Sequence, residues 1–101
     1  MTSNIKEISA GEFAIEGELN MQTVPAVSAE LENLFAKNGC DNINFDLASV
    51  TRSDSAGVAL LVELMQRARQ ANVQLSFKHL PQQMQDISSV SGLTSILPIT
   101  E

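Results

Sequence analysis

The alternation and spacing of apolar positions predict an ordered series of strands and helices along this 101-residue chain. Ile5 to Ile8 and Phe13 to Leu19 read as two short strands around Ala10-Gly11, together an opening hairpin. From Val24 the apolar residues Val24, Val27, Leu31, Leu34 and Phe35 draw one stripe along a helix. Thr23 is its expected cap, Pro25 is tolerated in its first turn, and Asn38-Gly39 supplies a left-handed residue to end it. Cys40 or Asp41 then leads into a strand over Ile43 to Leu47. A polar turn follows, and a helix over Asp54 to Gln70 whose middle, Val58 to Met65, is apolar on nearly every side. Asn72 turns the chain into Val73 to Lys78, the strictest alternation present, which predicts Val73, Leu75 and Phe77 on a buried face. Leu80-Pro81 opens a third helix to Val90, with Met84, Ile87 and Val90 at steps of three and Gly92 just beyond. Ile96, Leu97 and Ile99 around Pro98 form either a short edge strand or a cover on the sheet, because proline excludes a central strand.

This order predicts an α/β fold in a single domain over residues 1–101. It is a mixed β-sheet with an opening antiparallel hairpin and parallel strands connected by helices through right-handed crossovers. The length suffices to bury a core without disulfides or metals. An apolar patch around Val58 or Met84, if exposed, would drive self-association of the isolated chain.

The most informative run is Val50 to Leu61, where a hydroxyl side chain falls at the passage from a strand-exit loop into a buried helix. Asp54 and Ser55 are both N-cap types, and Gly57 lets the first turn approach a neighbouring backbone. Unpaired amides and the helix dipole favour negative charge there, so a phosphoryl group on Ser55 is electrostatically acceptable. On residue pattern alone Ser55 is either a second capping hydroxyl or a functional one. Asp46 and Asp54 at the two ends of the connection resemble a receiver-type phospho-accepting site only superficially. Without a paired acidic cluster for magnesium, they are better read as acceptors for loop amides and a helix cap.

Charge and composition narrow the function classes. Six Lys plus Arg against twelve Asp plus Glu give a formal net charge of −6, which disfavours nucleic acid and anionic membrane surfaces as partners. Arg67 and Arg69 are the close basic pair, read as a solvated helix face or the rim of a protein interface. Cys40 is the single cysteine, which excludes an intramolecular disulfide; with no basic-then-apolar leader the expected compartment is the cytoplasm. No apolar run approaches the roughly 20 residues of a membrane span. His79 is the single histidine, so a zinc site is not expected, and Ser55 has no paired-glycine nucleophile elbow around it. Gly39, Gly57 and Gly92 are isolated from one another and make no phosphate loop. No catalysis, cofactor or metal is expected, and nothing in the residues supports a small-molecule or lipid pocket at the sheet edge.

Gly17-Glu18-Leu19 after a strand, Phe45-Asp46-Leu47 followed by Val50, and Asp54-Ser55-Ala56-Gly57-Val58-Ala59-Leu60-Leu61 together resemble the STAS domain of sulfate transporters and anti-sigma-factor antagonists. Ser88 to Leu93 is similar to that family's third-helix ending. In the antagonists the hydroxyl residue after the Asp is phosphorylated by an anti-sigma-factor kinase, and the resemblance places Ser55 there as a candidate phosphoacceptor. Val50 to Leu61 and Ile96-Leu97-Pro98 look most like the MlaB-type subunit, the cytoplasmic STAS component of a phospholipid-transporting ABC system. That resemblance implies a non-enzymatic subunit that binds the ABC transporter's ATPase, with the permease in the same complex, and touches neither ATP nor lipid. It places the chain at the inner face of the inner membrane through its partners. The implied partner-binding or regulatory surface is Ser55 with Asp54, Gly57 and Arg52. The alternative it leaves open is an anti-sigma-factor antagonist switched by phosphorylation of Ser55.

Overall fold

The computed structural model describes residues 4–37 and 41–100. Cys40 and the helix end expected at Asn38-Gly39 lie outside them. Strands β1 (Ile5–Ser9) and β2 (Glu12–Ile15) pair antiparallel across the Ala10-Gly11 turn, with Ile5 opposite Ile15 and Glu7 opposite Phe13. Helix α1 (Val24–Lys37) carries the chain to β4 (Asn42–Asp46), which lies parallel to β2. Helix α2 (Ser55–Ala71) leads to β6 (Gln74–Lys78), parallel to β4, and α3 (Gln82–Val90) leads to β7 (Ile99–Thr100), parallel to β6. The sheet order is therefore β1-β2-β4-β6-β7: an opening hairpin followed by parallel strands each reached through a helix. This is the mixed α/β architecture that the sequence predicts.

Two short strands depart from that expectation. The run Phe13 to Leu19 is broken at Glu16 and Gly17, whose φ of +87° is a conformation L side chains rarely adopt. Gly17–Leu19 becomes a separate strand, β3, and pairs in parallel with β5 (Val50–Ser53), the segment read from sequence as a polar turn. The physical reason is visible in β5 itself. Val50 and Ser53 are buried while Thr51 and Arg52 are both exposed, so the period-two signal of a strand is absent. This two-stranded sheet sits where the chain enters α2.

The parallel register aligns Phe13 with Phe45 and Phe45 with Phe77, ring centroids 6.0 and 6.2 Å apart. These rings, with Ile15 and Ile43, form the face on which Val27, Leu31, Leu60, Leu61, Leu64 and Met84 of the helices close. The opposite face is polar: Asn44 and Ser76 stand side by side and are hydrogen bonded, and Asp46 and Lys78 are register partners. A sheet covered on one side alternates apolar and polar in this way. Val58 and Met84 are core residues, 3% and 0% exposed, so the patch that would have driven self-association does not exist. The exposed large apolar side chains among the described residues are Ile8, Met21, Val90 and Ile96.

Helix boundaries follow local chemistry. Before α1 the Thr23 hydroxyl does not cap the helix, because it accepts from Asn20 N at 2.9 Å and donates to the Glu18 carbonyl at 2.8 Å. The Asn20 side chain instead takes the amides of Gln22 and Thr23, at 2.8 and 3.0 Å. At the end of α2, Asn72 adopts the left-handed conformation (φ 57°) and returns its amide to the carbonyls of Ala68 and Arg69. Helix α1 is held on α2 by Glu63, whose Oε1 accepts from the Ser28 hydroxyl at 2.8 Å and from Arg67 Nη2 at 3.0 Å. Arg67 reaches Glu32 as well, at 3.6 Å, while Arg69 is exposed, so only Arg69 of that pair keeps a purely solvated face.

Candidate functional site at the start of helix α2

Strand β5 delivers Asp54 to the helix start in extended conformation (φ −114°, ψ −164°). Its carboxylate accepts the Ala56 amide at 2.8 Å, and its backbone carbonyl accepts the Gly57 amide at 3.0 Å. Its own amide donates to the Leu19 carbonyl at 3.2 Å, tying the helix start to the end of β3. Asp54 is thus the N-cap, and Ser55 is the first helical residue, with its side chain exposed. Ser55 therefore stands one position inside the helix, past the cap that Asp54 fills.

Gly57 explains why this turn is held so closely. A Cβ there would collide with Ser53 Oγ and lie 3.1 Å from Leu19 Cβ and 3.3 Å from Ser53 Cβ. The first turn of α2 is therefore pressed onto β3 and β5 so closely that any side chain there would have to displace the Ser53 hydroxyl and crowd Leu19. Ser53 is itself buried, and its amide donates to Gln83 Oε1 of α3 at 2.9 Å. The hydroxyl at Ser55 consequently stands on a turn braced from below by β3 and β5 and from the side by α3.

The four residues expected to form the surface divide by role. Ser55, Asp54 and Arg52 are exposed along the β5–α2 passage, with Arg52 in register opposite Glu18 of β3. Gly57 is buried and contributes by allowing the approach, not by contact with a partner. Sequence reasoning missed two residues. Gln83 fastens α3 to the turn and gives no sequence signal, because its bond to Ser53 spans 30 positions. Met21 is 82% exposed, two residues beyond the Leu19 whose carbonyl holds Asp54. Its signal was legible: an apolar side chain inside the polar turn Asn20 to Thr23.

His79 does not serve Ser55. Its Nδ1 lies 3.0 Å from Asp46 Oδ1, and the same carboxylate oxygen accepts the Ala48 amide at 2.9 Å. Burial alone raises the Asp46 pKa. The Ala48 amide, the His79 hydrogen bond and the charges of His79 and Lys78 outweigh it and hold the carboxyl below its usual range. Asp46 and Asp54 each accept a loop or helix amide, as their positions predicted. Among the described residues no group of three His, Cys, Asp or Glu could hold a metal ion, and no helix is long and apolar enough to cross a membrane.

A sequence model of the family described as "Mlab, STAS domain" matches residues 6–98. No curated protein matches the sequence. Among solved structures, an anti-sigma factor antagonist from Mycobacterium paratuberculosis superposes with a TM-score of 0.78 at 18% identity, covering 97% of this chain and 83% of that one. The anti-sigma factor antagonist SpoIIAA in its unphosphorylated form gives 0.73 at 16% identity, over 96% of this chain and 86% of that one. The phosphorylated form of SpoIIAA, a Bacillus cell fate determinant, gives 0.69 at 17% identity, over 96% and 89%. At these identities the likeness to the solved structures establishes the fold.

Proposed function

The chain belongs to the STAS domain family, and from that premise we propose that it is a non-enzymatic docking subunit that presents Ser55 to a protein partner, the ATPase of a phospholipid-transporting ABC system. The observation that carries this reading is the exposed Ser55 hydroxyl on a braced helix start, within a chain whose matching family model is described as Mlab. A partner that reads this surface gains a rigid, pre-satisfied backbone, so little ordering entropy is spent on docking. Met21 adds an apolar anchor, and Arg52 and Asp54 supply a polar rim. The domain works by contact, and the partner supplies the ATP chemistry. The complex keeps the chain at the inner face of the inner membrane.

A second reading has its own support. Ser55 is accessible to a kinase, and the structural relatives named above are anti-sigma factor antagonists, one of them determined in both phosphorylation states. In this reading, Ser55 is the phosphoacceptor, and the partner is an anti-sigma factor. Phosphorylation places about −1.5 to −2 charges beside the Asp54 carboxylate and would break docking through desolvation and like-charge repulsion.

The deciding experiment is affinity purification of the tagged chain from its native cells, with mass spectrometry of its partners and of the Ser55 peptide. Co-purifying ABC ATPase and permease with unmodified Ser55 supports the transporter reading. A kinase-like anti-sigma factor with phosphorylated Ser55 replaces it with the second. In either case, calorimetry should show Ser55→Ala weakening docking modestly and Ser55→Glu abolishing it. Equal affinity of wild type and Ser55→Glu would remove Ser55 from the interface.

A further inference from the structure

Strands β3 and β5 run in parallel and end together: Leu19 and Ser53 are register partners at their C-terminal ends, and the Leu19 carbonyl accepts the Asp54 amide at 3.2 Å. Met21 lies two residues beyond one member of that pair and Ser55 two residues beyond the other, so both leave the same end of the two-stranded sheet. The path from one Cα to the other through the Leu19–Asp54 hydrogen bond is under about 19 Å, within the span of a standard interface of about 800 Å² per partner.

The Met21 side chain is 82% exposed, in a turn that its neighbours hold rigid. Asn20 Oδ1 accepts the amides of Gln22 and Thr23, while the Thr23 hydroxyl accepts the Asn20 amide and donates to the Glu18 carbonyl. An unbranched apolar side chain on a backbone fixed in advance is a ready anchor, since little of the chain remains to be ordered when a partner arrives. The same exposure makes its thioether reactive. Of the other described methionines, Met84 is 0% exposed in the core and Met65 is half-buried on α2, so an oxidant in solution meets Met21 first. Met21 takes no part in the core, so a change at its sulfur leaves the fold standing and alters only what the surface presents.

We propose that Met21 is an oxidation-sensitive release site for the partner docked at Ser55, an inference that rests on the docking reading above. The Sδ lone pair attacks one oxygen of a hydroperoxide, and the S–O bond forms as the O–O bond breaks. Sulfur is oxidised by two electrons; with hydrogen peroxide, the other oxygen takes up the displaced proton and leaves as water. The sulfoxide is polar, and burying it in an apolar socket without a hydrogen-bond partner cancels the contribution of the anchor. This release is independent of phosphorylation, because no atom of Ser55 changes.

The test treats the full chain with hydrogen peroxide, removes the excess with catalase, and follows peptide mass spectrometry of each methionine, thermal denaturation, and calorimetric affinity for the purified ATPase of the ABC system. Met21 should gain one oxygen at least about tenfold faster than Met84, with an unchanged melting temperature. Affinity should fall by about tenfold or more and return after treatment with methionine sulfoxide reductases of both epimer specificities. Met21→Leu should dock as tightly as wild type and keep its affinity after peroxide; it retains the other methionines, so it separates Met21 from them. An oxidised wild type that docks as before, a Met21→Leu chain that loses affinity on oxidation as wild type does, or a Met84 that oxidises as fast as Met21 would overturn the proposal. Ser55→Glu run alongside tells this failure from that of the docking reading. If it binds the ATPase as tightly as untreated wild type, or untreated wild type does not bind, the docking reading fails and the proposal with it. If it loses affinity while peroxide has no effect, the reading stands and Met21 is removed from it.

Discussion

Helices α2 and α3 pack side by side and begin on opposite plans. The start of α2 is completely engaged: Asp54 caps it, Leu19 holds the cap's amide, and Gly57 lets the first turn lie against β3 and β5. At the start of α3 the N-cap position is Pro81, which provides no side-chain hydrogen bond. Only its carbonyl serves there, accepting from Met84 N and Gln85 N at 3.0 Å each. The last turn of α3 keeps a buried Ser88 hydroxyl without a hydrogen-bond partner. The contrast separates two uses of a helix. A rigid, satisfied first turn can present one exposed group to a macromolecule at low ordering cost, whereas α3 serves that turn as a brace and leaves a buried hydroxyl of its own unpaired.

The largest effect should come from breaking the close approach at α2. Gly57→Val places branched carbon where Ser53 and Leu19 already stand, and overpacking of this kind costs roughly 3 kcal/mol. In a domain of this length that lowers the melting temperature by something like ~12–24 °C, readable by thermal denaturation. A stability equal to wild type would show that the turn is not tightly seated. Removing the cap instead, by Asp54→Ala, should cost about 1 kcal/mol, measured by urea denaturation. Gln83→Ala deprives the Ser53 amide of its acceptor and should cost about the same, although the residue lies on the other helix. Equal losses from the two variants would establish that α3 braces the Ser55 turn. A silent Gln83→Ala would separate the two helices.

The same perturbation should have the opposite sign at α3. Ser88→Ala removes a hydroxyl that the protein does not pair, and relief of an unsatisfied buried group should raise stability by about 1 kcal/mol. Loss of stability would mean that the hydroxyl is already satisfied in solution, and the distinction between the two helices would narrow.

Much of this contrast was legible in the residues, unevenly. The strands with strict alternation, Val73 to Lys78 above all, and the helices with a clear stripe fall where their periodicity put them, because one covered face enforces a period that survives in sequence. The Asp54 cap and the left-handed Asn72 were readable for the same local reason. Strands β3 and β5 were not. Three and four residues long, they put only Leu19 and Val50 into the core and otherwise pair with each other, too little to leave a periodic trace. Residue pattern alone located Ser55 without ranking it above a capping role; the family resemblance favoured a functional one, and the structure puts Asp54 at the cap. The roles of Gln83 and Ser88 depend on long-range juxtaposition. Ser88 sits one helical step from Met84 on the buried side, yet its type reads as surface.

The smallest effect concerns how each helix is anchored to its neighbours. Helix α2 is tied to α1 through the Ser28–Glu63 hydrogen bond and the Arg67–Glu32 ion pair, and among the described residues no ion pair ties α3 to another element. The Ser28 hydroxyl and the Arg67 hydrogen bond lower the Glu63 pKa, burial opposes them and is outweighed, and the Arg67 charge lowers it further. A carboxyl with a depressed folded-state pKa binds its proton more weakly in the native than in the unfolded chain. Its contribution is therefore complete above the unfolded value and is lost as pH falls through the folded one. Asp46 is shifted in the same direction and adds to the same window. Stability should accordingly be flat near neutrality and decline below about pH 5. Glu63 is more than one third exposed, so solvent screening keeps its share modest. Urea denaturation of wild type and Glu63→Gln at about pH 7 and about pH 3.5 checks this: the gap between the two proteins should shrink on acidification, since wild type then loses the charge that the variant never had. A gap that stays constant would show that the charge of Glu63 adds nothing to its tie with α1, leaving the Ser28 hydrogen bond, which an amide oxygen also accepts. The two helices would then differ in capping and packing alone, not in electrostatic anchoring.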